Sequence, residues 1–231
     1  MKALVIMAKA PVPKKVKTRL ILPLGSLTAS DLYYNFLLDR IEQIKVLSNI
    51  HRFFAYTPKK AQDFFKQIVP QEIELLPQTG RSLGERLYSL TKVLLRRGFK
   101  KVVLVDSDSP NLPSNYIIKA FDRLDKTDLT LGPSEDGGYY LIGVKSDTPG
   151  IFKHVPWSTP RVAELTVRKA LKLGLTVSIL ETWYDVDTYQ DLLRLKNDLR
   201  SRPLIGYFCR NTYRALSNIK RAPNFSRGST D

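Results

Sequence analysis

The chain has 231 residues, 43% of them hydrophobic and 26% charged, with 12 Gly and 14 Pro, which suits one globular α/β domain and excludes fibrous and disordered classes. A formal net charge of +15 points to an anionic partner: nucleic acid, an anionic membrane surface or a phosphate-rich substrate. The single cysteine, Cys209, cannot form an internal disulfide and lies outside any metal-ligand spacing, so a reducing, cytoplasmic compartment is expected.

Met1 to Ala8 is too short an apolar run for a signal peptide or a membrane span, and Lys2 to Met7 reads as a first buried strand. A basic loop through Gly25 follows. Ala29 to Leu47 places Leu32, Phe36, Ile41, Ile44 and Leu47 on one helical face, with Thr28 or Ser30 available as a cap. Arg52 to Tyr56 is a second strand. Thr57-Pro58 predicts a cap with Pro at the first helical position, opening a helix through Ile68, and Glu72 to Leu76 is a third strand. Ser82-Leu83-Gly84-Glu85 is a capping box for a helix to Arg97 that Gly98 ends, and Lys101 to Val105 is the most strand-like run in the chain.

Beyond it come a helix over Ser114 to Leu124, strands at Asp128 to Leu131 and Tyr139 to Val144, a helix over Pro160 to Leu173 stopped by Gly174, a strand at Leu175 to Leu180, and a helix over Thr188 to Leu199. Short β-branched runs alternating with longer capped helices predict a mixed, mostly parallel α/β sheet. Arg202-Pro203 breaks the pattern. We expect one α/β domain over 1–200 and a basic C-terminal extension over 201–231, which packs on the domain, extends a homodimer or lies on anionic lipid.

Four stretches carry chemistry. Ala8-Lys9-Ala10-Pro11 to Lys17-Thr18-Arg19-Leu20 follows the first strand, where ligands of parallel sheets bind, and Lys9, Lys17 and Arg19 have the charge to hold a phosphate. The loop lacks the Gly-rich phosphate signatures, and a solvated basic loop is the plain alternative. Asp106-Ser107-Asp108 ends a buried strand. Two carboxylates there need a cation or donors, and a hard divalent metal is the economical answer, with one Asp capping the next turn as the alternative. Asp185 and Asp187 offer a second strand-end carboxylate, whereas Asp191 reads as first-turn capping. In Ser134-Glu135-Asp136-Gly137-Gly138-Tyr139, Asp136 has the chemistry of a general base, and the paired glycines signal either a close ligand approach or a hairpin. His51 and His154 lack partner spacing and read as structural.

Together with Leu83-Gly84-Glu85-Arg86, Ser107-Asp108-Ser109-Pro110, Trp157-Ser158-Thr159 and Asp185-Val186-Asp187-Thr188, these stretches resemble the GT-A-like glycosyltransferases of the selenium-domain-associated or arsenosugar-biosynthesis type over about residues 1 to 200. The chain is more distantly similar to molybdenum-cofactor and phospholactate guanylyltransferases and to sugar cytidylyltransferases. The resemblance implies a three-layer, Rossmann-like fold of the nucleotide-diphospho-sugar transferases. It implies that Ala8, Lys9, Lys17, Arg19, Gln78, Gly80, Arg86 and Asp106 surround the nucleotide, that Asp108 and Asp187 hold Mg²⁺ or Mn²⁺, and that Gly137, Gly138, Tyr139 and Trp157 face the acceptor. Lys17, Arg19 and Asp136 are then the catalytic candidates. Lys14 and Asp106 stand where the family tends to Gly, and Asn111 where it tends to Asp.

Sugar transfer from a nucleotide-diphosphate donor is the first expectation, with a small-molecule, lipid or phosphorylated acceptor. Nucleotidyl transfer from a nucleoside triphosphate is the alternative. A nucleic-acid-binding protein, resting on Tyr207, Phe208, Arg210, Tyr213 and Arg214, is opposed by the carboxylates of the same cleft.

Overall fold

In the computed structural model, which describes residues 1–201 and 208–219, seven strands form one sheet: β1 (Lys2–Lys9), β2 (His51–Thr57), β3 (Glu74–Pro77), β4 (Lys101–Val105), β5 (Leu129–Pro133), β6 (Tyr139–Val144) and β7 (Val177–Ile179). Their order is β3-β2-β1-β4-β6-β5-β7, and only β6 runs against its neighbours. The helices are α1 (Ile21–Leu24), α2 (Ser26–Lys45), α3 (Gln62–Ile68), α4 (Leu83–Arg96), α5 (Ser114–Arg123), α6 (Val162–Lys172), α7 (Tyr189–Ser201) and α8 (Arg210–Asn218). The mixed, mostly parallel α/β sheet expected from the alternation is present, in the three-layer arrangement that the resemblance implies.

Period-two alternation assigns the faces. Leu4 and Ile6 of β1 join Phe36 of α2, Phe65 of α3, Ile117 of α5 and Leu195 of α7 in one core, while Ala3 and Val5 join Leu90 and Leu94 of α4 and Ala170 of α6 in the other. β4 is covered on both faces, with Val102 to Val105 at no more than 1% exposure, which explains its unbroken apolar run. Each such side chain contributes roughly 1.5–3 kcal/mol by leaving water.

Several local expectations change. The basic loop holds a 3₁₀ turn at Thr18–Leu20 and the short α1. α2 starts at Ser26, so Thr28 and Ser30 lie inside it, and Ser30 Oγ donates to the Leu27 carbonyl instead of capping the helix. Pro58 is extended, and α3 begins at Gln62 after a 3₁₀ turn at Lys59–Ala61. Ser82 does cap α4: its Oγ accepts from Glu85 N at 3.2 Å, while Glu85 Oε2 accepts from Arg81 N at 2.7 Å.

Past the break at Arg202-Pro203, where sequence periodicity fades, α8 packs along α2. Asp39 of α2 accepts from Asn211 N and Thr212 N at 3.0 and 2.8 Å, and Cys209 and Leu216 are buried beside it. The rest of the expected extension, including Tyr207, lies outside the described residues. Among the described residues no helix is long and apolar enough to cross a membrane.

Candidate active site

β1 and β4 are parallel neighbours, so the loops leaving their C-terminal ends open a crevice between them. A cleft of about 910 Å³ lies there. Lys9, Lys15, Lys17, Arg19 and Arg86 line it together with Asp106, Asp108, Asp136, Asp185 and Asp187, so cations and carboxylates share one cavity.

The loop after β1 turns through two left-handed residues, Lys14 at φ 64° and Lys17 at φ 45°. Glycine adopts that conformation freely, which fits the Gly that the resembled family tends to carry at the position of Lys14. It also separates the lysines: Lys9, Lys14, Lys15 and Arg19 stay exposed, and Lys17 turns inward to 7% exposure. Its Nζ lies 2.5 Å from Asp108 Oδ1 and 3.0 Å from Asp187 Oδ1. Burial disfavours the ammonium, but Asp108 and Asp187 outweigh it and hold the Lys17 pKa above its ordinary value. The rings of Tyr33 and Phe36 back the charge at 5.6 and 5.4 Å.

A relay of hydrogen bonds ties the two strand ends together. Lys9 N donates to Tyr33 OH at 3.1 Å, Tyr33 and Ser107 hydroxyls meet at 2.7 Å, and Ser107 Oγ donates to Met7 O at 2.8 Å. Beneath them Arg40, fully buried, donates Nε and Nη2 to the Asp106 carbonyl and Nη1 to Gln43, whose amide reaches the Leu112 carbonyl. The bend that carries Asp106 and Asp108 is thus held from inside the core.

The Asp187 side is equally braced. Val186 N donates to Asp108 O at 3.0 Å, and Ser109 Oγ is 2.8 Å from Asp185 Oδ1. Asp191 accepts from Thr188 N and Oγ1, both at 2.7 Å, which is the capping role expected of it. Asn111 is buried and donates to Tyr184 OH at 2.7 Å, so it braces this segment from below. Burial, and then the charge of Asp108, raise the Asp185 pKa to about 6. Burial, then Asp185 and Asp108, push Asp106 well above the carboxylate range. Asp106 lines the cleft with a side chain only 21% exposed, its Oδ1 4.0 Å from Arg40 Nη2.

The remaining expected residues divide. Gln78 Nε2 donates to Ala8 O and Ala55 O at 3.0 and 2.8 Å, so Gln78 and Ala8 line the cleft while fastening β1 to β2. Arg86 lines it and donates Nε to Gly80 O at 3.1 Å, but Gly80 itself is not a lining residue. Asp136 lines it, its Oδ1 fixed by Ser134 Oγ at 2.7 Å and Gly138 N at 2.9 Å. Gly138, Tyr139 and Trp157 form the neighbouring wall, with ring centres 6.3 Å apart for the last two. Gly137, expected to face an acceptor, faces Pro160 instead: an added Cβ would lie 2.0 Å from the Pro160 carbonyl oxygen. Tyr33, Arg40 and Gln43 were not singled out from the sequence, and Ser107 and Ser109 entered only as parts of a motif, with no role of their own.

Asp108 and Asp187 form a hard-oxygen pair that already converges on one cation, the Lys17 ammonium. Both keep open sides toward the cleft, at 43% and 42% side-chain exposure. Such a pair suits an ion that retains waters and phosphate ligands. Among the described residues no group of three or more His, Cys, Asp or Glu is arranged to hold a metal.

The family profile described as "Uncharacterized protein conserved in bacteria (DUF2064)" matches residues 40–159. No curated protein matches the chain. A protein from Desulfovibrio desulfuricans G20, assigned provisionally as a nucleotide-diphospho-sugar transferase, is 30% identical with a TM-score of 0.83, over 95% of this chain and 99% of its own. 4-diphosphocytidyl-2C-methyl-D-erythritol synthase from Anaerococcus prevotii DSM 20548 shares the fold at 12% identity and a TM-score of 0.58, over 86% of this chain and 96% of its own. A CMP:2-keto-3-deoxy-manno-octonic acid synthetase complexed with CTP shares it at 12% identity and a TM-score of 0.52, over 87% and 99%.

Proposed function

The chain belongs to the DUF2064 family, and we propose that it is a metal-dependent transferase that moves a sugar from a nucleotide-diphosphate donor to a small-molecule or lipid acceptor. The observation that carries this reading is the convergence of Asp108 and Asp187 on one cation at the floor of a cleft lined by lysine and arginine. The provisional assignment of the Desulfovibrio desulfuricans relative favours the sugar donor.

Lys9, Lys17 and Arg19 bind the donor phosphates, with Arg supplying a two-pronged fork and Lys a point charge. Gln78, Ala8 and Arg86 border the nucleoside. Asp108 and Asp187 would hold Mg²⁺ or Mn²⁺, which would supply positive charge to offset that of a departing nucleoside diphosphate. Asp136, with Oδ1 committed to Ser134 and Gly138, presents its other oxygen to take the proton of an acceptor hydroxyl. Tyr139 and Trp157 orient the acceptor and exclude water.

Nucleotidyl transfer to a phosphorylated acceptor is the second reading. Lys15 and Arg86 add to the cationic lining, and a triphosphate with an anionic acceptor needs more cations than a single diphosphate does. The acidic lining disfavours a nucleic-acid strand in the cleft.

A thermal-shift screen of UDP-, GDP-, ADP- and CDP-sugars and the four triphosphates, with and without Mn²⁺, tests binding. Product analysis then separates the chemistries: nucleoside diphosphate for sugar transfer, pyrophosphate for nucleotidyl transfer. No metal-dependent shift with any of these ligands would sink the proposal.

A further inference from the structure

Lys17 stands where a divalent ion would be drawn. Its ammonium reaches both carboxylates from the core side, past Tyr33 and Phe36, and its side chain is only 2% exposed. The carboxylates themselves remain more than 40% exposed toward the cleft. One enclosed ammonium serves two carboxylates brought from distant parts of the chain. Here only the cation is enclosed, and the carboxylates keep their coordinating sides open.

We infer that Lys17 is a resident counter-cation, which neutralises Asp108 and Asp187 until a polyphosphate draws its ammonium away, so that the divalent ion enters only together with nucleotide. The inference rests on the reading of Asp108 and Asp187 as metal ligands.

The physical reason is charge balance at one point. Lys17 cancels one of the two charges of Asp108 and Asp187, which weakens their hold on a hydrated divalent ion. An ion placed on the same oxygens would also face the ammonium as a near like charge. A diphosphate changes both factors: it brings several negative charges, and it offers oxygens that the ammonium can reach in place of Asp108. The backbone allows that exchange. Lys17 sits in loop backbone just before the Thr18–Leu20 turn, so its side chain can swing without disturbing a strand or a long helix. Differential binding of this kind couples two ligands without any further site.

Equilibrium dialysis of Mn²⁺ against the full chain tests the ordering, with pyrophosphate at equal concentration on both sides as the base-free probe. Wild type alone is expected to retain little Mn²⁺, and at least about tenfold more with pyrophosphate. Lys17→Met is expected to retain Mn²⁺ without pyrophosphate at least about tenfold more tightly than wild type, because the competing charge is gone. Adding Asp108→Asn to it should abolish the gain, and Lys17→Arg should behave as wild type. Equal Mn²⁺ retention by wild type with and without pyrophosphate overturns the inference, even if Lys17→Met fails to fold. So does a folded Lys17→Met that binds no better than wild type. Retention in no arm overturns the metal-ligand reading as well, which separates the two failures.

Discussion

Arg40 donates Nε and Nη2 to the main-chain oxygen of Asp106 at 3.3 and 3.0 Å, from a position with no exposed surface. A buried guanidinium thereby holds the bend on which Asp108 is mounted. Arg40→Met keeps the length but leaves the Asp106 carbonyl and Gln43 Oε1 without their donor, and should cost about 3–5 kcal/mol. Urea denaturation checks this, and a loss below about 1 kcal/mol would show that the contact is dispensable.

From the sequence, removing one of several crowded carboxylates relieves repulsion, so Asp108→Asn is expected to leave stability the same or higher. The Lys17 contact reverses the sign. Because Asp108 is partly solvated, we expect a loss of about 1–2 kcal/mol, or about 3–6 °C in melting temperature, together with the loss of any metal-dependent shift. Differential scanning calorimetry with and without Mn²⁺ reads both effects, and an unchanged melting temperature would contradict the role given to the pair.

The raised Asp185 pKa, about 6, makes stability depend on pH. An unfolded aspartate titrates near ~3.9, so between these values the folded chain binds more protons than the unfolded one. Stability from this group therefore falls as pH rises from about 4 to about 6, by on the order of 1–3 kcal/mol. Asp106, shifted the same way, adds to the slope. The difference in urea midpoint between wild type and Asp185→Asn should widen in favour of the variant over this window. A constant difference would refute the assignment.

Asp136→Asn preserves an oxygen for Ser134 and Gly138 while removing the basic carboxylate. Under sugar transfer kcat should fall by roughly 10²–10⁴ with KM little changed. Under nucleotidyl transfer, whose acceptor already carries charge, the fall should be far smaller. Steady-state kinetics with the donor found in the screen decides between them.

The succession of elements along the chain and the two-sided core follow from patterns visible in the sequence. The alternation of β-branched runs with capped helices fixes the layers, and β4 reads as buried because it lacks polar alternation. Carboxylates at strand ends and lysines after β1 mark the cleft for the same reason. What local sequence conceals is which lysine matters. Lys9, Lys14, Lys15 and Lys17 are chemically alike in a row, and only the left-handed turns at Lys14 and Lys17 send one of them inward. Arg40, Asp39 and Gln43 look like the solvated face of α2, but the bend after β4 and α8 cover them. That burial is decided by elements about 65 or more residues away. Thr57-Pro58 misleads because Pro at a helix start and Pro in an extended lead-in are locally indistinguishable.

Gly137 leaves no room for any side chain, and its carbonyl also receives the Ala163 amide at 2.9 Å. The turn bearing Asp136 and the entrance to α6 therefore behave as one interlocked part. An engineer wishing to exchange the Asp136 wall of the cleft between relatives would have to transplant residues 134–138 and 157–163 as a matched cassette. Point-by-point swaps on either half would meet the other half's backbone first.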